Sequence, residues 1–161
     1  MTPTERRGGA PVGYLEELPT LEAAIVRYLR LWCHGTESRN QIEQDFRDAL
    51  GRRHGSRAAA TLNMMFDVVV RHGRRPLMRH DVACKCLGGD ESALANMVGA
   101  AVAGEREDAA LLAALLVRPD MAFALATSAE QAGLALQQMI LRSVPPELSA
   151  IMRAPPSNHV H

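Results

Sequence analysis

The chain has 161 residues, 47% of them hydrophobic and 22% charged, which suits one folded domain and excludes a wholly disordered chain. Aromatic residues make up only 4%, so small and aliphatic side chains must fill the interior, which favours helices over a β-sandwich or barrel. The net charge is zero, and three cysteines argue against a secreted disulfide scaffold. No signal peptide opens the chain and the longest apolar run, residues 109–117, is too short to span a bilayer. We therefore expect a cytoplasmic protein with no membrane partner.

Both ends of the chain are predicted to be flexible tails around one helical domain, residues 20–143. Residues 1–19 mix proline, glycine and charge without periodicity, and residues 144–161 contain two Pro-Pro pairs. A short helix around Glu147–Met152 is the one element that the second tail could form.

Three helices are predicted in the first half of the domain. Apolar residues recur every three or four positions in residues 20–33, 38–50 and 56–71, which is the pattern of one buried helix face. The valine run 68–70 would also suit a strand. No partner strand is evident, so a helix is preferred there.

Three further helices are predicted at about residues 90–103, 105–117 and 120–142, separated by Gly104 and Pro119. The middle one is apolar almost all round, so we expect it at the centre of the fold. The sequence therefore predicts an all-α, single-domain bundle of about six helices.

A long connector rich in cysteine and arginine, residues 72–89, joins the two groups of three helices. A loop of this length inside a compact domain is usually functional, or else it contains a short element. If it folds back over the end of the first helix, three thiolates and one imidazole come together, and this ligand set suits zinc. The predicted metal ligands are Cys33, His80, Cys84 and Cys86.

Two other interpretations of these cysteines stay open. Cys84 and Cys86 could act as a redox switch through a strained, labile disulfide, with neighbouring basic residues favouring the thiolate. In the other interpretation, Cys33 is a small buried hydrophobic residue and the remaining two are reduced thiols in a loop. A single C-x-C pair does not decide the matter, because zinc modules usually have two C-x2-C pairs.

Charge is unevenly distributed along the chain. Residues 51–80 contain seven arginines and one acid, whereas residues 87–142 contain seven acids and three arginines. If the two arginine-rich connectors lie at the same end of the bundle, they form one basic patch for an anionic partner. Otherwise these arginines pair with the protein's own acidic helices. The predicted anion- or partner-binding residues are Arg52, Arg53, Arg57, Arg71, Arg74, Arg75 and Arg79.

No catalytic or nucleotide-binding motif occurs in the sequence, so an enzyme is the less favoured class. We expect a non-enzymatic, regulatory binding module whose connector contacts a protein or another anionic partner, with structural zinc as a candidate cofactor. A thiol-based redox or metal-responsive switch is the alternative. Nucleic-acid binding is third, because the net charge is zero and no recognition helix is evident. Apolar faces on all six helices leave room for a homo-oligomer.

The stretch from Leu21 to Met139 resembles an uncharacterised family of small helical proteins from GC-rich bacterial genomes. The resemblance is carried by YLRLWC at 28–33, HGRRPLMRH at 72–80 and CKCLGGDE at 84–91. That family has no assigned function, so the resemblance implies a helical fold and adds no activity.

Overall fold

A computed structural model describes residues 8–143, and within them six α-helices and one two-stranded sheet form the fold. The helical class is confirmed. The helices are α1 (Thr20–Cys33), α2 (Thr36–Leu50), α3 (Arg52–Arg71), α4 (Gly89–Val102), α5 (Arg106–Leu116) and α6 (Pro119–Ser143). The strands are β1 (Pro11–Tyr14) and β2 (Cys86–Gly88), which pair antiparallel.

The first three helices follow their apolar pattern. Ile25, Leu29 and Trp32 on α1 are buried, and the valine run 68–70 is helical as predicted. Helix α3 begins four residues earlier than the predicted start at residue 56. Gly55, whose residue type is typical of loops, lies inside the helix at the point where α3 crosses α2. A Cβ at this position would collide with the α2 backbone at Phe46 and Arg47.

Helix α6 joins the two groups of three helices, because it packs against both α3 and α4. Leu125, Ala129 and Leu136 of α6 are buried in the main core. Gly133 permits the close approach to α4, since a Cβ there would lie 2.8 Å from the Cγ1 atom of Val98.

The prediction that α5 occupies the centre is wrong. Its buried residues are Ala109, Ala113 and Leu116, whereas Leu111 and Leu115 are 69% and 60% exposed. Alanines face α4 and α6 because small side chains let helices pack closely, and the leucines are left on the outer side. An apolar run without a preferred face gives no indication of which side the neighbours will cover.

Residues 8–19, which the sequence assigns to a flexible tail, carry β1 and a 3₁₀ turn at Leu15–Glu17. The tail prediction is therefore wrong for these residues. Tyr14 pairs with Cys86 across the sheet, and Leu15 is buried against Val26 and Leu87 in a small second core.

The remaining parts of both predicted tails, residues 1–7 and 144–161, lie outside the described residues, and so does the predicted helix at 147–152. Among the helices of residues 8–143, none combines the length and the apolar character needed to cross a bilayer.

Candidate functional site

A buried ion pair between α1 and α4 lies beneath the connector. Arg30 donates from Nε to Glu91 Oε1 at 2.7 Å and from Nη2 to Oε2 at 2.8 Å, and both side chains are 0% exposed. Burial opposes ionisation of Glu91. Hydrogen bonds from Arg30 and from the backbone N–H groups of Gly88 and His80 outweigh it and hold the pKa of Glu91 below its ordinary value.

The other donors of Arg30 hold the connector backbone. Nη1 donates to the carbonyl oxygens of Asp81 at 3.2 Å and Cys84 at 2.6 Å, and Nη2 donates to that of Cys86 at 2.7 Å. Every guanidinium N–H of Arg30 therefore has an acceptor. This full set of hydrogen bonds compensates for removing the charge from water.

Two consecutive acids at the start of α4 fix the connector. Asp90 binds Arg75 in a bidentate pair, at 2.8 and 2.7 Å, and accepts a hydrogen bond from the backbone N–H of Met78 at 2.8 Å. Glu91 accepts from the backbone N–H groups of His80 and Gly88, both at 3.0 Å. The first turn of a helix favours such carboxylates.

Cys84 and Cys86, the dithiol pair, lie side by side. Their carbonyls point to Arg30, whereas the carbonyl of Lys85 accepts from the Leu15 N–H at 2.9 Å. This alternation is that of an extended chain, so the two cysteine side chains share a face. A hydrogen bond to Cys84 and the charge of Cys84 raise the pKa of the Cys86 thiol. Both thiols are free and partly exposed.

The four predicted zinc ligands are only partly brought together. In residues 8–143, no group of three or more histidine, cysteine or acidic side chains is arranged to hold a metal. Cys33 lines a separate groove at the end of α1, of which the dithiol pair is no part. The His80 ring lies against Gly88, and its buried Nε2 has no hydrogen-bond partner among the described residues.

The seven predicted anion-binding arginines form two groups. One group lies in the first turns of α3 and the other lies at or after its last residue. Arg57 and Arg71, the nearest members of the two groups, lie 14 positions apart on α3. Roughly 21 Å of helix therefore separates the groups, and the condition for one basic patch is not met. The first group is Arg52, Arg53 and Arg57, and the second is Arg71, Arg74, Arg75 and Arg79.

Several arginines of the second group already have partners within the chain. Arg71 pairs with Asp67 at 2.8 Å, and Arg74 donates to the carbonyl oxygen of Ala114 at 3.1 Å. Arg75 is held by Asp90, as described above. Internal pairing, the alternative that the sequence left open, therefore accounts for part of the cluster.

Arg39, Arg75 and Arg79 line a groove of about 550 Å³ between the end of α1 and the connector, here called the arginine groove. Trp32 and Leu77 form its apolar surface. The Arg39 guanidinium lies 3.8 Å from the centroid of the Trp32 ring, and its Nε donates to the Trp32 carbonyl at 2.9 Å. No acidic side chain occurs among the described residues that line the groove.

Sequence reasoning missed Arg30, Arg39, Asp90 and Glu91. The only signal for Arg30 is one charged residue within the apolar run YLRLWC. Asp90 and Glu91 directly follow a double glycine and are typical of a helix start, which gives no indication that they bind the connector.

Comparison with protein-family models, with curated proteins and with solved structures finds no match for this chain. The resemblance to small helical bacterial proteins stays a prediction. Any function must therefore be inferred from the geometry of the connector and of the arginine groove.

Proposed function

We propose that the protein is a non-enzymatic binding module whose arginine groove accepts an acidic segment of a protein partner. The observation that carries this proposal is a groove lined by three arginines beside an apolar surface, with no acid among the described lining residues. Guanidinium groups bind carboxylates through two parallel hydrogen bonds. Trp32 and Leu77 offer contact area for an apolar side chain of the same segment.

Among the residues of the groove, Arg79 is the most available to bind a partner. Its side chain is exposed, and within residues 8–143 it makes no hydrogen bond or ion pair. Arg75, in contrast, is oriented by Asp90 at the wall of the groove. An arginine held in one rotamer loses little conformational entropy when a carboxylate binds beside it.

A protein segment fits the groove better than a nucleic acid does. A nucleic-acid backbone needs a continuous basic track, and α3 separates the two arginine groups by roughly 21 Å. Binding is also favoured over catalysis. Cys33 lines the groove, but no histidine or acid stands beside it among the described lining residues to act as its base.

The proposal can be tested through Trp32, the only tryptophan of the chain. Its emission should change when a panel of glutamate- and aspartate-rich peptides that also contain leucine is titrated at low salt. The Arg79→Glu variant should bind about tenfold more weakly or worse, because a like charge would then face the peptide. Arg53→Glu is the matched control, since Arg53 is exposed at the other end of α3.

Two results would contradict the groove as the binding site. The first is that no peptide shows binding, either in the Trp32 emission or in calorimetry. The second is that both variants weaken peptide binding equally, which would indicate unspecific electrostatic attraction. Oligonucleotides that bind more tightly than every peptide, with a steep loss of affinity in salt, would favour the nucleic-acid alternative instead.

The dithiol pair supports a second function, a thiol-based redox or metal-responsive switch. The two cysteine side chains share one face of an extended segment, and Arg30 connects the backbone of this segment to Glu91 of α4. A change at the sulfurs would therefore act on the buried ion pair through the backbone. Mild peroxide should remove two hydrogens from the wild type and from Cys33→Ser, as measured by mass spectrometry. Cys84→Ser should not form this intramolecular product, and an unchanged wild-type mass would contradict the redox form of the switch.

A further inference from the structure

Cys84 and Cys86 present two soft ligands on one face of a fixed, extended segment. We propose that this dithiol pair binds one soft, monovalent metal ion, with Cu(I) as the representative, in a two-coordinate dithiolate site. The inference deepens the switch function and rests on it, since it names the ligand class to which the pair would respond.

The backbone of residues 84–86 is fixed by hydrogen bonds along both of its edges in the metal-free protein. On one side, Arg30 holds the carbonyls of Cys84 and Cys86 at 2.6 and 2.7 Å. On the other side, the Lys85 carbonyl accepts from Leu15 and Cys86 pairs with Tyr14 of β1. The positions of the two cysteines are therefore set in advance, and little conformational entropy remains to be lost on binding.

Charge favours a cation between the two sulfurs. Two adjacent thiolates would repel one another, and a cation bound between them removes that repulsion. When Cu(I) binds, two S–H bonds break, two S–Cu bonds form and two protons pass to water. No electron is transferred, and the metal dithiolate carries one negative charge where two uncompensated thiolates would carry two.

The number of ligands favours a two-coordinate ion over zinc. Zinc in structural sites takes four protein ligands, and no third histidine, cysteine or acid joins the pair as a metal group in residues 8–143. Thiolates are soft ligands that select Cu(I), which is stable with only two of them. Cys33 is a built-in control, because it lies in the arginine groove and not beside the pair.

The test uses the reduced full chain, without an affinity tag, in anaerobic competition with a chromophoric Cu(I) chelator. Wild type and Cys33→Ser should each withdraw one Cu(I) per chain. Cys84→Ser and Cys86→Ser should each lower the affinity by more than about 100-fold, the upper end of what losing an outer partner of a metal ligand does. X-ray absorption of the wild type should give two sulfur neighbours and no further ligand.

Three results would overturn the inference: no withdrawal of Cu(I) by the wild type, unchanged affinity in Cys84→Ser, or an absorption spectrum with three or four ligands. Circular dichroism of each variant shows whether its fold is kept, and the wild-type spectrum decides the ligand number independently of the variants. The peroxide experiment on metal-free protein separates the two proposals. If peroxide forms the disulfide but the protein does not bind Cu(I), only the metal site is contradicted. If neither the disulfide nor Cu(I) binding is observed, the switch function is contradicted as well.

Discussion

The two halves of the connector differ in how their charges are satisfied. Around residues 80–88, charge is internal, since Arg30 and Glu91 are fully buried and every guanidinium N–H has an acceptor. Around residues 73–79, Arg75 and Arg79 line an open groove, and Arg79 is exposed. The number of arginines in a segment therefore does not distinguish those that stabilise the fold from those that are available to bind a partner. Burial and hydrogen bonding make that distinction.

The largest effect is expected from Glu91→Ala, which leaves the Arg30 charge buried without its carboxylate. The free energy of unfolding should fall by about 3–5 kcal/mol, as measured by urea denaturation. The double variant Arg30→Met, Glu91→Leu is the control. It should lose less than Glu91→Ala, because no unpaired charge remains in the interior. A loss under about 1 kcal/mol in Glu91→Ala would show that the buried pair does not stabilise this half.

The same pair should give stability a dependence on pH. The pKa of Glu91 in the folded protein lies below the ordinary value of 4.5. Ionised Glu91 therefore contributes fully to the free energy of unfolding above pH 4.5, and this contribution is lost as the pH falls through the folded-state pKa. The free energy of unfolding of the wild type should therefore fall as the pH decreases below about 4.5, and it should fall less steeply in Glu91→Gln. Urea denaturation at each pH measures both slopes, and equal slopes would exclude Glu91 as a contributor.

A smaller effect is expected from Asp90→Asn, which weakens the pair with Arg75. The Arg75 side chain is 28% exposed, so water can partly replace the lost carboxylate. The variant should lose about 1–2 kcal/mol of unfolding free energy, clearly less than Glu91→Ala. A loss as large as that of Glu91→Ala would contradict the division of the connector into two halves.

Much of the helical fold follows from local pattern, and the rest depends on contacts distant in the chain. The apolar stripe of α1 predicts residues 20–33, the bounds that the helix has. Strand β1 was missed because its pairing with β2 joins segments more than 70 residues apart, and four residues containing Pro11 and Gly13 carry no signal alone.

The candidate site was less predictable than the fold for the same reason. Cys84 and Cys86 are neighbours because they are two residues apart, and this much follows from the sequence alone. Their anchor, Arg30, is more than 50 residues away in sequence, and a charged residue in an apolar run gives no information about its acceptors. The separation of the arginine groups, in contrast, already follows from the predicted helix at residues 56–71, because the two connectors lie at its opposite ends. In the structure this helix begins earlier, at Arg52.

The central claim is that the arginine groove is available for binding and is not needed for folding. It is tested most directly by measuring, on one sample of Arg79→Glu, both the affinity for an acidic peptide and the free energy of unfolding. We predict that the affinity falls about tenfold or more while the free energy changes by less than about 0.5 kcal/mol. An unchanged affinity, or a loss of stability that accounts for the lost binding, would contradict the claim.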